Sequence, residues 1–127
     1  MTLLSRVIVW GTALFFIVYG LGFVFYPAQL ADVITGSAPA SASALIDMRA
    51  TYGGLTVAVG VVFLLLGARE HTVSLSLRAI AVVLLAMAAG RGLGMLLDGA
   101  GNVFMWLYLA GEVLFGALAL WLSGREG

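Results

Sequence analysis

VIVWGTALFFIVYGLGFVF, residues Val7 to Phe25, contains no Asp, Glu, Lys, Arg or His. A helix rises 1.5 Å per residue and needs about 20 residues to cross roughly 30 Å of hydrocarbon, so this run reads as a membrane-spanning helix. Working outward, the same reading recurs along the chain. A second span runs from about Leu45 to Gly67, uncharged from Ala50 to Ala68 but with Asp47 and Arg49 in its opening turn. A third covers Leu75 to Leu97, with Arg78 at its entrance and Arg91 inside, and a last one covers Val103 to Leu122, with Glu112 near its centre. The expected fold is all-α: residues 1–127 form one integral membrane four-helix bundle.

Composition agrees. Hydrophobic residues make up 63% of the chain and charged residues 9%, against roughly 25% charged in an ordinary soluble domain. So few ionisable side chains cannot cover a water-soluble globule, which excludes a soluble enzyme. The net charge is zero, so no field exists to recruit nucleic acid. There is no cysteine, which removes disulfides, thiolate zinc sites and iron–sulfur clusters. The lone His71 cannot build a metal site, and with no histidine inside a span the usual haem ligand is missing too. No cofactor is expected.

Arg6 and the Ala38-Pro39-Ala40 stretch have the look of a secretory signal. The apolar run is too long and that site too far beyond it, so Val7–Phe25 is read as a retained helix. Between the first two spans lies a long connection, Tyr26 to Ala44. Within it Pro27 suits a first helical position, Leu30, Val33 and Ile34 make an apolar stripe, and Gly36 suits a helix end, which predicts a short helix lying in the membrane interface. Ser43 is the expected N-cap of the second span. The Asp98–Asn102 turn is short enough to make the last two spans antiparallel neighbours. Arg6, Arg69, Arg78 and Arg125 fall on one side, whereas the long loop and the Asp98 turn hold neither Arg nor Lys. Both termini are therefore expected in the cytoplasm, with the long loop outside.

The residues that cost free energy to embed are the candidate site. A charge at the centre of a span is penalised by about 2.5–3.5 kcal/mol, so Asp47, Arg49, Arg91 and Glu112 each ask for a partner or a task. Asp47, in the first turn of its span, suits the positive end of the helix dipole. Arg49 stands about 200° from it around the helix and looks to a lipid phosphate or Asp98. Glu112 lies about 14 Å from either end of its span, too deep for a short carboxylate to reach water. Side chains lean toward the N-terminus of their helix, so Arg91 and Glu112 lean toward one another from antiparallel neighbours. This pair reads either as a fixed salt bridge setting helix register or as a site where Glu112 holds a ligand or exchanges a proton. Tyr19, Tyr52 and Tyr108 fall in the outer halves of their spans, where they either line the same polar pocket or belong to the aromatic belt. Trp10, Trp106 and Trp121 fit the belt.

Gly53, Gly60 and Gly67 recur at heptad spacing, and Ala86, Gly90 and Gly94 at every fourth position. Such faces let helix backbones approach, within the bundle or in a homo-oligomer.

Three stretches, Asp47-Met-Arg-Ala-Thr-Tyr-Gly-Gly54, Arg91-Gly-Leu-Gly94 followed by Asp98, and Glu112 in the last span, resemble a family of small bacterial four-helix membrane proteins of unknown function within the wider DoxX-like group. The resemblance spans Phe25 to Leu122. It implies a multi-pass protein of the bacterial cytoplasmic membrane and, through DoxX-like partners of quinone-linked oxidation, a link to quinones. Two functions follow as expectations. The first is a noncatalytic or accessory protein binding a lipid, a quinone or a partner helix through Arg49, Arg91, Glu112, Asp47, Asp98 and the tyrosines. The alternative is a proton-coupled transporter of small hydrophobic or cationic compounds that uses Glu112. An enzyme ranks last.

Overall fold

The structure, a computed structural model, describes residues Met1 to Glu126. Among them no strand occurs. The elements are α1 (Leu3–Phe25), α2 (Pro27–Thr35), α3 (Ala42–Met48), a π-helical segment (Arg49–Leu55), α4 (Thr56–Gly67), a 3-10 turn (Glu70–Thr72), α5 (Val73–Asp98) and α6 (Val103–Glu126). Helix α3, the π-helical segment and α4 are continuous, giving four helices long and apolar enough to cross a membrane: Leu3–Phe25, Ala42–Gly67, Glu70–Asp98 and Val103–Glu126. No more than a third of each apolar window is buried, leaving a surface that water would not tolerate and lipid would. The protein is a multi-pass membrane protein.

Local chemistry sets the element ends. Pro27 disfavours helical backbone at Tyr26, so α1 stops at Phe25 and α2 starts on the proline, whose missing N–H is no loss in a first turn. Gly36 closes α2 at φ 83°, donating its N–H to Asp32 O at 2.9 Å. Ser41, not Ser43, caps α3: its backbone is extended and its Oγ accepts the Ala44 N–H at 3.1 Å. The span thus begins before Leu45, and Asp47 falls outside its first turn. The helix-dipole role expected of Asp47 is lost with that shift.

The chain forms two compact units: Gly11–Val62, and Met1–Trp10 together with the chain from Phe63 onward. In Gly11–Val62 the second span approaches α1 at glycines. A Cβ on Gly60 would stand 2.7 Å from Ala13 O, and one on Gly53 would stand 2.9 Å from Val24 N. From the other side, a Cβ on Gly20 would meet Gly53 O at 2.7 Å. α-Carbons without a side chain let these backbones touch, and the π-helical segment contains one of the contact points, Gly53.

In the other unit Val9, Val73, Leu77, Ile80 and Ala119 are buried. Gly67 meets Val9, and Gly116 sits against Leu84 and Leu85. Hydroxyls inside these helices donate to backbone carbonyls, which satisfies them away from water: Ser76 to Phe63 O and Ser74 to Ser123 O, both at 2.8 Å. At the chain start Ser5 Oγ and the Thr2 N–H donate to Glu126 Oε1 at 2.7 and 2.9 Å, and the Met1 ammonium donates to Glu70 at 3.0 Å. That last bond raises the terminal amine above its ordinary pKa.

Candidate functional site

Helices α5 and α6 pair antiparallel. Ser74 meets Ser123 toward one end, Gly116 meets Leu84 and Leu85 further along, and Arg91 meets Glu112 toward the other. The loop that joins them turns on Gly99 (φ 112°) and Gly101 (φ 73°), backbone angles that L side chains resist. Asn102 Oδ1 then accepts the Met105 N–H at 3.2 Å and starts α6.

On α6, Met105, Tyr108 and Glu112 follow at i, i+3 and i+7 and so share a face. Arg91 lies against it. Its Nε donates to Glu112 Oε1 at 2.7 Å and its Nη2 to Oε2 at 2.9 Å. This two-pronged geometry matches the planar guanidinium to the carboxylate plane. The Tyr108 ring centroid is 5.1 Å from Arg91 Cζ, within cation–π range. Arg91 Nη1 donates to Met105 Sδ at 3.4 Å. Glu112 is buried at 6% exposure, while the Arg91 side chain keeps 20%. A carboxylate that deep is tolerable because both oxygens receive charged donors, and no buried side-chain nitrogen or oxygen among the described residues lacks a partner.

The exposed part of Arg91 opens on a cleft of about 310 Å³ lined also by Gly94, Met95, Asp98, Gly99, Gly101 and Met105. Asp98 is exposed at the end of α5, and its Oδ2 lies 3.8 Å from where a Gly94 Cβ would be. Among the described residues it makes no hydrogen bond and no ion pair. Chemically the site offers a neutralised guanidinium, a soft sulfur and one solvent-facing carboxylate.

Of the residues expected from sequence, Arg91, Tyr108, Glu112 and Asp98 thus fall together, on α5 and α6. The other four lie in the Gly11–Val62 unit. Tyr52 stands edge-on to Phe23, with centroids 5.4 Å apart, and Tyr19 tilts on Phe23 at 5.0 Å and stacks on Phe15 at 5.6 Å, so these rings belong to one aromatic cluster. Arg49 donates through Nη1 to the carbonyl of Val24. It serves the end of α1, where carbonyls lack helical donors. Asp47 is exposed and holds no partner among the described residues. Met105, Gly94 and Gly101 were missed. For Met105 a signal existed, since it stands two turns before Glu112 on the same face.

No curated protein and no solved structure matches the chain. One family model does, that of a domain of unknown function, DUF4345, which matches residues 4–123. With nearly its whole length inside that match, the chain belongs to the DUF4345 family.

Proposed function

We propose that this is a noncatalytic or accessory protein of the bacterial cytoplasmic membrane that holds a lipid or quinone in the cleft beside Arg91 and Glu112. The observation that carries the reading is a buried ion pair with one open edge: Arg91 is held by Glu112 on one side and exposed to a cleft of about 310 Å³ on the other. The space beside the pair, open at Gly94, is what a bound ligand would use. The quinone option draws on the DoxX-like sequence resemblance. Both termini are assigned to the cytoplasm from the placement of Arg6, Arg69, Arg78 and Arg125, which puts the cleft in the outer half of the membrane and α2 in its outer interface.

The transport alternative rests on the depth of Glu112. Both of its oxygens are engaged by Arg91, an arrangement that favours holding a ligand beside the pair over passing a proton through it.

Native mass spectrometry of the protein released from its own membrane tests the reading. The parent is expected to carry a lipid or quinone, and Gly94→Leu, which fills the cleft, is expected to lose it with an unchanged circular dichroism spectrum. A parent that carries neither class, or a Gly94→Leu variant that keeps its ligand, overturns the proposal.

A further inference from the structure

Along α5, Arg91, Gly94, Met95 and Asp98 succeed one another at i, i+3, i+4 and i+7, so they share one face, and the first and last lie about 10 Å apart along the axis. The charges on that face are unequal. Glu112 accepts from Arg91 through both oxygens, so the pair contributes no net charge. Arg91 Nη1 reaches the cleft wall at Met105 Sδ, a weak acceptor that a ligand oxygen would outcompete. Asp98 is the charge left over. It is exposed, and it stands in the last turn of α5, where the helix dipole is itself negative and no basic residue offsets it.

The surroundings say where a ligand would come from. Met95 and Met105 give the cleft an apolar wall, and it opens at the end of a spanning helix, where Leu97 (73% exposed) and Val103 (63%) leave the outer surface apolar as well. That is the depth at which headgroups meet acyl chains. A ligand there must put hydrocarbon against Met95 and Met105, tolerate or neutralise a carboxylate, and turn oxygen acceptors toward Arg91.

We infer that the cleft selects a phospholipid with an amine-bearing headgroup over one with an anionic headgroup, its ammonium on Asp98 and its phosphoryl or ester oxygens toward Arg91. This rests on the lipid-binding reading above and narrows it. An anionic headgroup would meet Asp98 and the α5 dipole with the same sign of charge.

The test reconstitutes the full chain in nanodiscs with equal parts phosphatidylethanolamine and phosphatidylglycerol. The headgroups that stay bound on release are then identified by native mass spectrometry. Phosphatidylethanolamine is expected to be enriched about three- to fivefold over the bulk, the scale of one exposed charge contact. Asp98→Asn, at an exposed position, is expected to bring the ratio to bulk, whereas Asp47→Asn is expected to leave it. Retention in bulk proportion, enrichment of phosphatidylglycerol, or a preference that survives Asp98→Asn overturns the inference while leaving lipid binding intact. Displacement of the lipid by millimolar ethanolamine alone would make the ligand a soluble amine and overturn the assignment to lipid. Retention of no lipid at all would instead sink the broader reading.

Discussion

In the Gly11–Val62 unit Arg49 ends on the carbonyl of Val24, whereas in the unit that contains α5 and α6 Arg91 ends on the carboxylate of Glu112. Both are arginines placed in apolar helices. Arg49 is exposed and needs only a donor's task, which the end of α1 supplies. Arg91 is largely withdrawn from solvent, and a guanidinium so placed requires a counter-charge. The glycines differ only in part. Gly53 and Gly60 let backbones touch in the first unit and Gly67 and Gly116 pack closely in the second, but beside Arg91 Gly90 meets nothing within 4 Å and Gly94 meets only Asp98. Both units use close packing; the second adds a buried charge and the space beside it.

The comparison breaks most readily at Glu112. Glu112→Gln leaves the Arg91 charge uncompensated and is expected to cost about 3–5 kcal/mol, measured as loss of unfolding free energy in detergent or lipid. Arg91→Leu combined with Glu112→Leu should recover most of it. If the single variant is as stable as the parent, Arg91 is not a buried charge in need of an acid.

A smaller effect sharpens the packing side. Gly60→Ala drives a methyl to within 2.7 Å of Ala13 O and 2.9 Å of Ile17 Cγ1, an overpacking expected to cost about 1–3 kcal/mol. Gly90→Ala, with open space around it, should leave the unfolding midpoint unchanged or slightly raised. Equal losses in the two variants would show that Gly90 is covered by a second chain. Smallest is Arg49→Met. Removing the donor to Val24 O is expected to cost about 1 kcal/mol, since water or headgroups can replace an exposed hydrogen bond. A loss as large as that of Glu112→Gln would mean that Arg49 too faces a counter-charge.

Much of this was legible in the chain. The helix over Val7–Phe25 follows from length and apolarity alone, and the structure adds only its first turn, from Leu3. The turn chemistry of Pro27 and Gly36 is local and could be read directly. The facing of Arg91 and Glu112 was also readable, because depth along two antiparallel helices and the lean of side chains are both fixed by helix geometry. Harder to read was the start of the second span. Ser41 and Ser43 are equally good caps by type, and which one serves depends on where the helix begins. That one choice moved Asp47 out of the first turn. The π-helical segment over Arg49–Leu55 leaves no periodicity distinct from an α-helix in so short a stretch.

The sequence by itself therefore determined what is one-dimensional: how many helices can cross a membrane, how far Arg91 and Glu112 stand from the ends of their helices, and where Pro27 and Gly36 interrupt the chain. Tertiary structure decided the partners. Val24 O for Arg49, Met105 Sδ for Arg91 and the open side of Gly94 depend on how neighbouring helices are rotated about their axes. Spacing along one helix constrains its own face and leaves the facing surface undetermined, so that rotation is settled only when whole surfaces pack together.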